Sequence, residues 1–108
     1  MSQSPDRRFE ARAPAGGRGV VLAPGLELPC RIVDASASGL RVRLDRKLAL
    51  PPAVQLIDLA QGVVIEAEVA WSKGQEAGLK RRGQASLRGL VPSRLAAARA
   101  AFLRAGGR

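Results

Sequence analysis

Leu40-Arg41-Val42-Arg43-Leu44 constrains this chain more than any other stretch. In an extended strand it places three apolar side chains on one face and two arginines on the other. The same period of two recurs upstream, where Leu28, Cys30 and Ile32 alternate with Pro29, Arg31 and Val33. It recurs downstream, where Val63, Ile65, Ala67, Val69 and Trp71 alternate with Val64, Glu66, Glu68 and Ala70. Gly-Val-Val-Leu (19–22), Ala-Val-Gln-Leu-Ile-Asp-Leu (53–59) and Glu-Ala-Gly-Leu-Lys (76–80) are further strand-like runs. Turn chemistry separates them: Pro24-Gly25, the small polar run 35–39, the loop 45–52, Gly62 at a position that tolerates positive φ, and the turn 72–75. Pro29 predicts that part of its strand is an edge or carries a bulge. Six short strands at this spacing predict an all-β dominated fold, a small antiparallel barrel or sandwich.

The pattern changes after residue 80. Lys80-Arg81-Arg82-Gly83-Gln84 reads as a basic loop. Residues 93–104 read as a helix, with Ser93 as N-cap, Arg104 in the last turn and glycines beyond. Leu95, Ala98 and Phe102 fall on one stripe of that helix, which is expected to pack against the sheet.

Composition narrows the chemistry. At 108 residues the chain fits one domain, and with 3% aromatics its core must come from Val, Leu, Ile and Ala. One cysteine, Cys30, allows no disulfide within the chain, and its place in a strand suits a core thiol in a reducing compartment. Without histidine, N/S-ligated metal sites and His-assisted nucleophiles are excluded. Glu66 and Glu68 share a face of one strand and read as a solvated face, not as a carboxylate pair for catalysis. No metal site, cofactor or catalytic residue is therefore expected. No apolar run reaches the roughly 18 residues of a membrane span, and Met1–Glu10 has no apolar core of a secretory signal, so a cytoplasmic location is expected.

The net charge of +9 is unevenly spread. Residues 1–19 carry +2, residues 20–71 carry −1 and residues 72–108 carry +8. Such a chain favours anionic partners. Two short motifs suggest which. Arg7, Arg8 and Arg12 form R-R-x-x-x-R within a Pro- and Gly-rich lead-in, residues 1–19, that reads as a flexible arm. Forked guanidinium donors suit phosphates and the O6/N7 edge of guanine. Asp34, Ser36 and Gly39 form D-x-S-x-x-G in a turn between strands. That pattern is ordinary turn chemistry, with Gly39 supplying an unusual φ, yet the carboxylate can also accept from guanine N1–H and N2–H2, and the hydroxyl from a base or phosphate.

The arginine arm, D-x-S-x-x-G leading into Gly39-Leu40-Arg41-Val42-Arg43-Leu44, the later strand ending in Trp71 and the C-terminal helix together resemble a PilZ domain. The resemblance covers residues 6–104, read as a single domain. It implies a bacterial six-stranded antiparallel β-barrel module with a C-terminal α-helix that binds the second messenger cyclic di-GMP. Carried over by position, it implies that Arg8 and Arg12 clamp the nucleotide, with Arg7 a third contact, while Asp34, Ser36 and Gly39 hold a guanine. Members commonly carry an aromatic two residues after the glycine of the last strand; here Leu79 and Lys80 follow Gly78. The implied role is a non-enzymatic receptor whose ligand orders the arm and changes the surface shown to a downstream protein. Two other readings stand beside it: an adaptor that works through protein contacts without ligand, and a small basic barrel that binds nucleic acid. The scarcity of stacking aromatics argues against the last.

Overall fold

The computed structural model describes residues 17–108. Arg7, Arg8 and Arg12 lie outside the described residues. Six strands follow in order: β1 (Gly17–Ala23), β2 (Leu26–Ala35), β3 (Gly39–Leu44), β4 (Ala53–Asp58), β5 (Val63–Lys73) and β6 (Glu76–Ser86). A 3₁₀ turn (Ser93–Leu95) leads into the helix α1 (Ala96–Arg104). The strands close into an antiparallel barrel in the order β1-β2-β3-β6-β5-β4. Closure leaves no unpaired edge, which an open six-stranded sheet would have to protect. β1 takes in Gly17–Gly19, a stretch that the sequence reading groups with the arm.

The period-two pattern explains the interior. Val21, Leu28, Cys30, Ile32, Leu40, Val42, Leu44, Leu56 and Ile65 are buried together inside the barrel. A second cluster lies outside it. Val20, Ile57 and Val64, on the outer faces of β1, β4 and β5, meet Leu87, Leu95, Ala98, Ala101 and Phe102. The helix stripe predicted from sequence, Leu95–Ala98–Phe102, is thus buried against the barrel wall. Three consecutive apolar residues on β1, Gly19 aside, are now intelligible: Val21 faces inward, and Val20 and Leu22 serve the helix side.

Several local expectations need correction. The basic run 80–84 is not a loop: β6 is 11 residues long and carries it as strand. Propensity favours a loop there, but the ladder with β5 continues along the run, from Glu68↔Lys80 to Ile65↔Gln84, and β3 pairs with its first residue through Gly39↔Lys80. The ladder outweighs the composition. Ser93 makes no side-chain cap bond; the helix starts as a 3₁₀ turn closed by the Leu95 N–H donating to the Pro92 carbonyl at 2.9 Å. β2 does carry a bulge, between Ile32 and Asp34, but it lies away from Pro29, which is itself paired with Val20. The Pro29 carbonyl accepts from Asp45 N at 2.9 Å, just past the end of β3, so the missing N–H costs one bond at the last rung of the ladder. Gly62 does take positive φ, 66°, as expected.

Cys30 lies in the barrel interior. Desolvation, and next the nearby Asp58 carboxylate, push its thiol pKa up to about 12. The folded state therefore favours the neutral thiol. That preference is fully present below the unfolded pKa and is lost as pH rises from about 9 towards 12. Native protein should resist alkylation at mildly alkaline pH, and its stability should fall with pH in that alkaline window. A Cys30→Ala variant should lack this part of the alkaline slope in urea melts followed against pH. An equal slope in both proteins would show that Cys30 is not the titrating group.

Candidate functional site

The site begins with an irregularity. Along β2, Leu28, Cys30 and Ile32 point into the barrel, and strict alternation would send Asp34 inward after them. A β-bulge between Ile32 and Asp34 leaves Val33 unpaired and resets the phase. Ala35 takes the buried position opposite Leu40, and Asp34 stands on the outer face opposite Arg41. A second bulge does the same on β5. Val69 pairs with Leu79 and Trp71 with Gly78, so Ala70 is the extra residue. The sequence pattern puts Trp71 on the face of Ile65 and Ala67; in the structure it is outside the barrel and 45% exposed.

The two bulges build a row across four strands. Asp34 (β2) faces Arg41 (β3), Arg41 faces Gly78 (β6), and Gly78 faces Trp71 (β5). The indole lies directly over Gly78: a Cβ at that position would overlap Nε1 of Trp71. Gly78 is therefore required by close approach, at an ordinary backbone φ. Asp34, Ser36, Gly39, Leu40, Arg41, Trp71 and Gly78 line one depression of about 370 Å³. It offers a carboxylate, a hydroxyl, a guanidinium and an aromatic face within one concavity.

The turn that follows Asp34 is held from both sides. Ser36 N donates to the Gly39 carbonyl at 2.9 Å. From β6, Arg81 Nε donates to the Ser36 carbonyl at 2.6 Å, and Arg81 N to the Ser38 carbonyl at 3.1 Å. Arg81, part of the run read as a loop, is thus the clamp that fixes the turn. Ser36 Oγ sits at 3.4 Å from both the Gly39 carbonyl and Ser38 Oγ. Those contacts are long, which leaves the hydroxyl able to turn to a ligand. Gly39 has no left-handed φ, contrary to the sequence expectation. Its role is space: a Cβ there would come within 2.9 Å of the Leu79 carbonyl oxygen.

A model of the PilZ domain family matches residues 6–91. The chain belongs to the PilZ family. No curated protein and no solved structure matches it significantly. PilZ domains are binding modules for cyclic di-GMP and are generally non-enzymatic. Among the described residues of this PilZ domain no helix is long and apolar enough to cross a membrane.

The structure brings Asp34, Ser36 and Gly39 together in one depression. It adds four residues that sequence reasoning left out of the site, Leu40, Arg41, Trp71 and Gly78. Arg41 was legible as an outward strand residue, but its register opposite Asp34 was not. Period-two reading puts Trp71 on the wrong face, because a bulge has no signature in it. A larger groove of about 790 Å³ lies between the β1–β2 hairpin and the outer parts of β4 and β5, with Arg82 and Ala97 also in its lining. Its lining is mainly apolar, and none of the D-x-S-x-x-G residues reaches it. On that side Arg104 makes a two-pronged bond to Glu27, at 3.1 and 2.6 Å. The Arg104 hydrogen bond holds the Glu27 carboxyl below its ordinary pKa.

Proposed function

We propose that this PilZ domain is a non-enzymatic cyclic di-GMP receptor in which the outer row Asp34–Arg41–Gly78–Trp71, with Ser36, seats a guanine and Arg7, Arg8 and Arg12 close over it. The observation that carries this reading is where the chain enters the barrel. Gly17, the first residue of β1, pairs with Ile32, two residues from Asp34. The residues that precede Gly17 therefore join the fold beside the depression, and Arg12 is only five residues upstream. Fully extended chain covers ~3.3 Å per residue, so reach is ample.

Each part has a matching chemistry. The Asp34 carboxylate accepts from guanine N1–H and N2–H2, the pairing that distinguishes guanine from adenine. The half-exposed indole of Trp71 offers a face on which a base stacks. Arginine forks from the arm suit both the phosphodiester oxygens and guanine O6/N7. Closure of the arm requires that ligand favour the closed arrangement over the open one, and cationic side chains beside two phosphates supply that difference. The surface offered to a downstream protein would change with it.

The test uses full-length protein, titration calorimetry and the emission of Trp71, the only tryptophan. Wild type should bind cyclic di-GMP with quenched tryptophan emission. Arg8→Ala/Arg12→Ala and Asp34→Ala should each weaken binding by at least about tenfold, the loss of one or more charge-assisted contacts. Failure of wild type to bind would reject the receptor reading and leave a ligand-independent adaptor. Wild-type binding that survives both variants would place the ligand elsewhere.

A further inference from the structure

A second row of charge lies one step along the same outer face. Arg18 on β1 is the register partner of Arg31 on β2, and Arg31 is the partner of Arg43 on β3. All three are exposed. Like charges directly opposite one another weaken a sheet pair. Packing does not demand them here: the adjoining outer position of the same ladder holds Val20 opposite Pro29. With strands ~4.8 Å apart, the backbone positions of the three arginines fall within a span of ~10 Å.

The fold offsets this only in part. Arg43 Nη1 lies 3.7 Å from Glu76, with the arginine side chain 57% exposed. Arg18 Nη2 donates to the Ala105 carbonyl at 3.2 Å, at the end of α1. Arg31 is engaged as well. A guanidinium carries five N–H donors in a fixed fork, so an arginine that holds one partner can still present donors to a second. Arg18, Arg31, Arg43, Pro29, Asp45 and Gln75 line a depression of about 330 Å³ above the row.

We propose that this row is a docking seat for an acidic peptide segment of a partner protein, with two or three carboxylates along one edge. The dimensions favour such a segment over nucleic acid. The row is short and has acids at its margins, Glu76 at the β6 end and Asp45 beside Arg43. A continuous phosphate backbone would run past both. The lining has no aromatic side chain for a base to stack on. In an extended peptide, alternate side chains on one edge are ~6.6 Å apart, so two carboxylates fit within the span of the row and a third reaches just past its end. This seat goes beyond the nucleotide reading, because no residue in it belongs to the Asp34–Trp71 row.

The probe is a fluorescein-labelled peptide of alternating serine and glutamate with three glutamates, followed by anisotropy on the full chain at low salt without nucleotide. Wild type should bind it, and Arg31→Gln/Arg43→Gln should weaken binding at least about tenfold. Arg82→Gln/Arg94→Gln removes the same charge at positions outside the row and its depression and should leave affinity within about twofold. Circular dichroism and cyclic di-GMP titration of the Arg31/Arg43 variant separate loss of the seat from loss of the fold or of the nucleotide site. Equal losses in the two double variants would reduce the effect to net charge and overturn the proposal. So would absence of peptide binding, or tighter binding of a single-stranded oligonucleotide of the same length.

Discussion

Replacing Phe102 by alanine should cost the fold about 3–5 kcal/mol, the range for truncating a buried aromatic side chain. Phe102 is 1% exposed and lies where α1 meets Val20, Ile57 and Val64 on the barrel wall. No other aromatic stands in that cluster, and the flanking alanines, Ala98 and Ala101, are too small to move into the space. A domain of this size has about 5–15 kcal/mol in all, so the variant would lose a large share of it. The urea midpoint should fall by more than about 1 M, with the m-value little changed. Phe102→Leu, which keeps most of the volume, should fall by clearly less. A midpoint unmoved by Phe102→Ala would mean that α1 does not contribute to the cooperative core.

Gly78→Val should leave the barrel folded and disable the candidate site. Its Cβ would overlap the indole of Trp71, whose side chain is half exposed and can swing away from the wall. Gly78 has no left-handed φ to lose. The expected result is a change in native tryptophan emission and a small change in urea midpoint. On the receptor reading, cyclic di-GMP affinity should drop about ten- to hundredfold, the 1–3 kcal/mol of one stacked base. Unchanged affinity with displaced emission would remove Trp71 from the site while leaving Asp34 and the arm in it. Because Phe102 packs among Val20, Ile57 and Val64 while Gly78 lies under Trp71, with no partner in common, the two substitutions should add in stability.

The elements were legible because their cause is local. Alternation along Leu28–Ile32, Leu40–Leu44 and Val63–Val69 arises wherever one face of a strand is buried, and it needs no knowledge of the partner strand. The stripe Leu95–Ala98–Phe102 is readable for the same reason at helical spacing. The D-x-S-x-x-G turn is readable because Asp, Ser and Gly at those spacings have few other uses between strands.

What resisted reading is what depends on a neighbour distant in sequence. β1 pairs with β4 and β3 with β6, which closes the barrel, and the basic run of β6 is strand because it pairs with β5 through Ala67↔Arg81, Glu66↔Gly83 and Ile65↔Gln84. The two bulges belong to the same class. An extra residue at Val33 or Ala70 is visible only against the partner's register, yet it decides on which side of the wall Asp34 and Trp71 stand. Gly39 and Gly78 look like turn or entropy positions until Leu79 and Trp71 are seen pressed against them. Sequence alone therefore determined the strands, the helix face and the polar turn, since each is dictated by side chains within a few residues. Only the tertiary structure decided the Asp34–Arg41–Gly78–Trp71 row and the Arg18–Arg31–Arg43 row, because cross-strand register exists only once the barrel has closed.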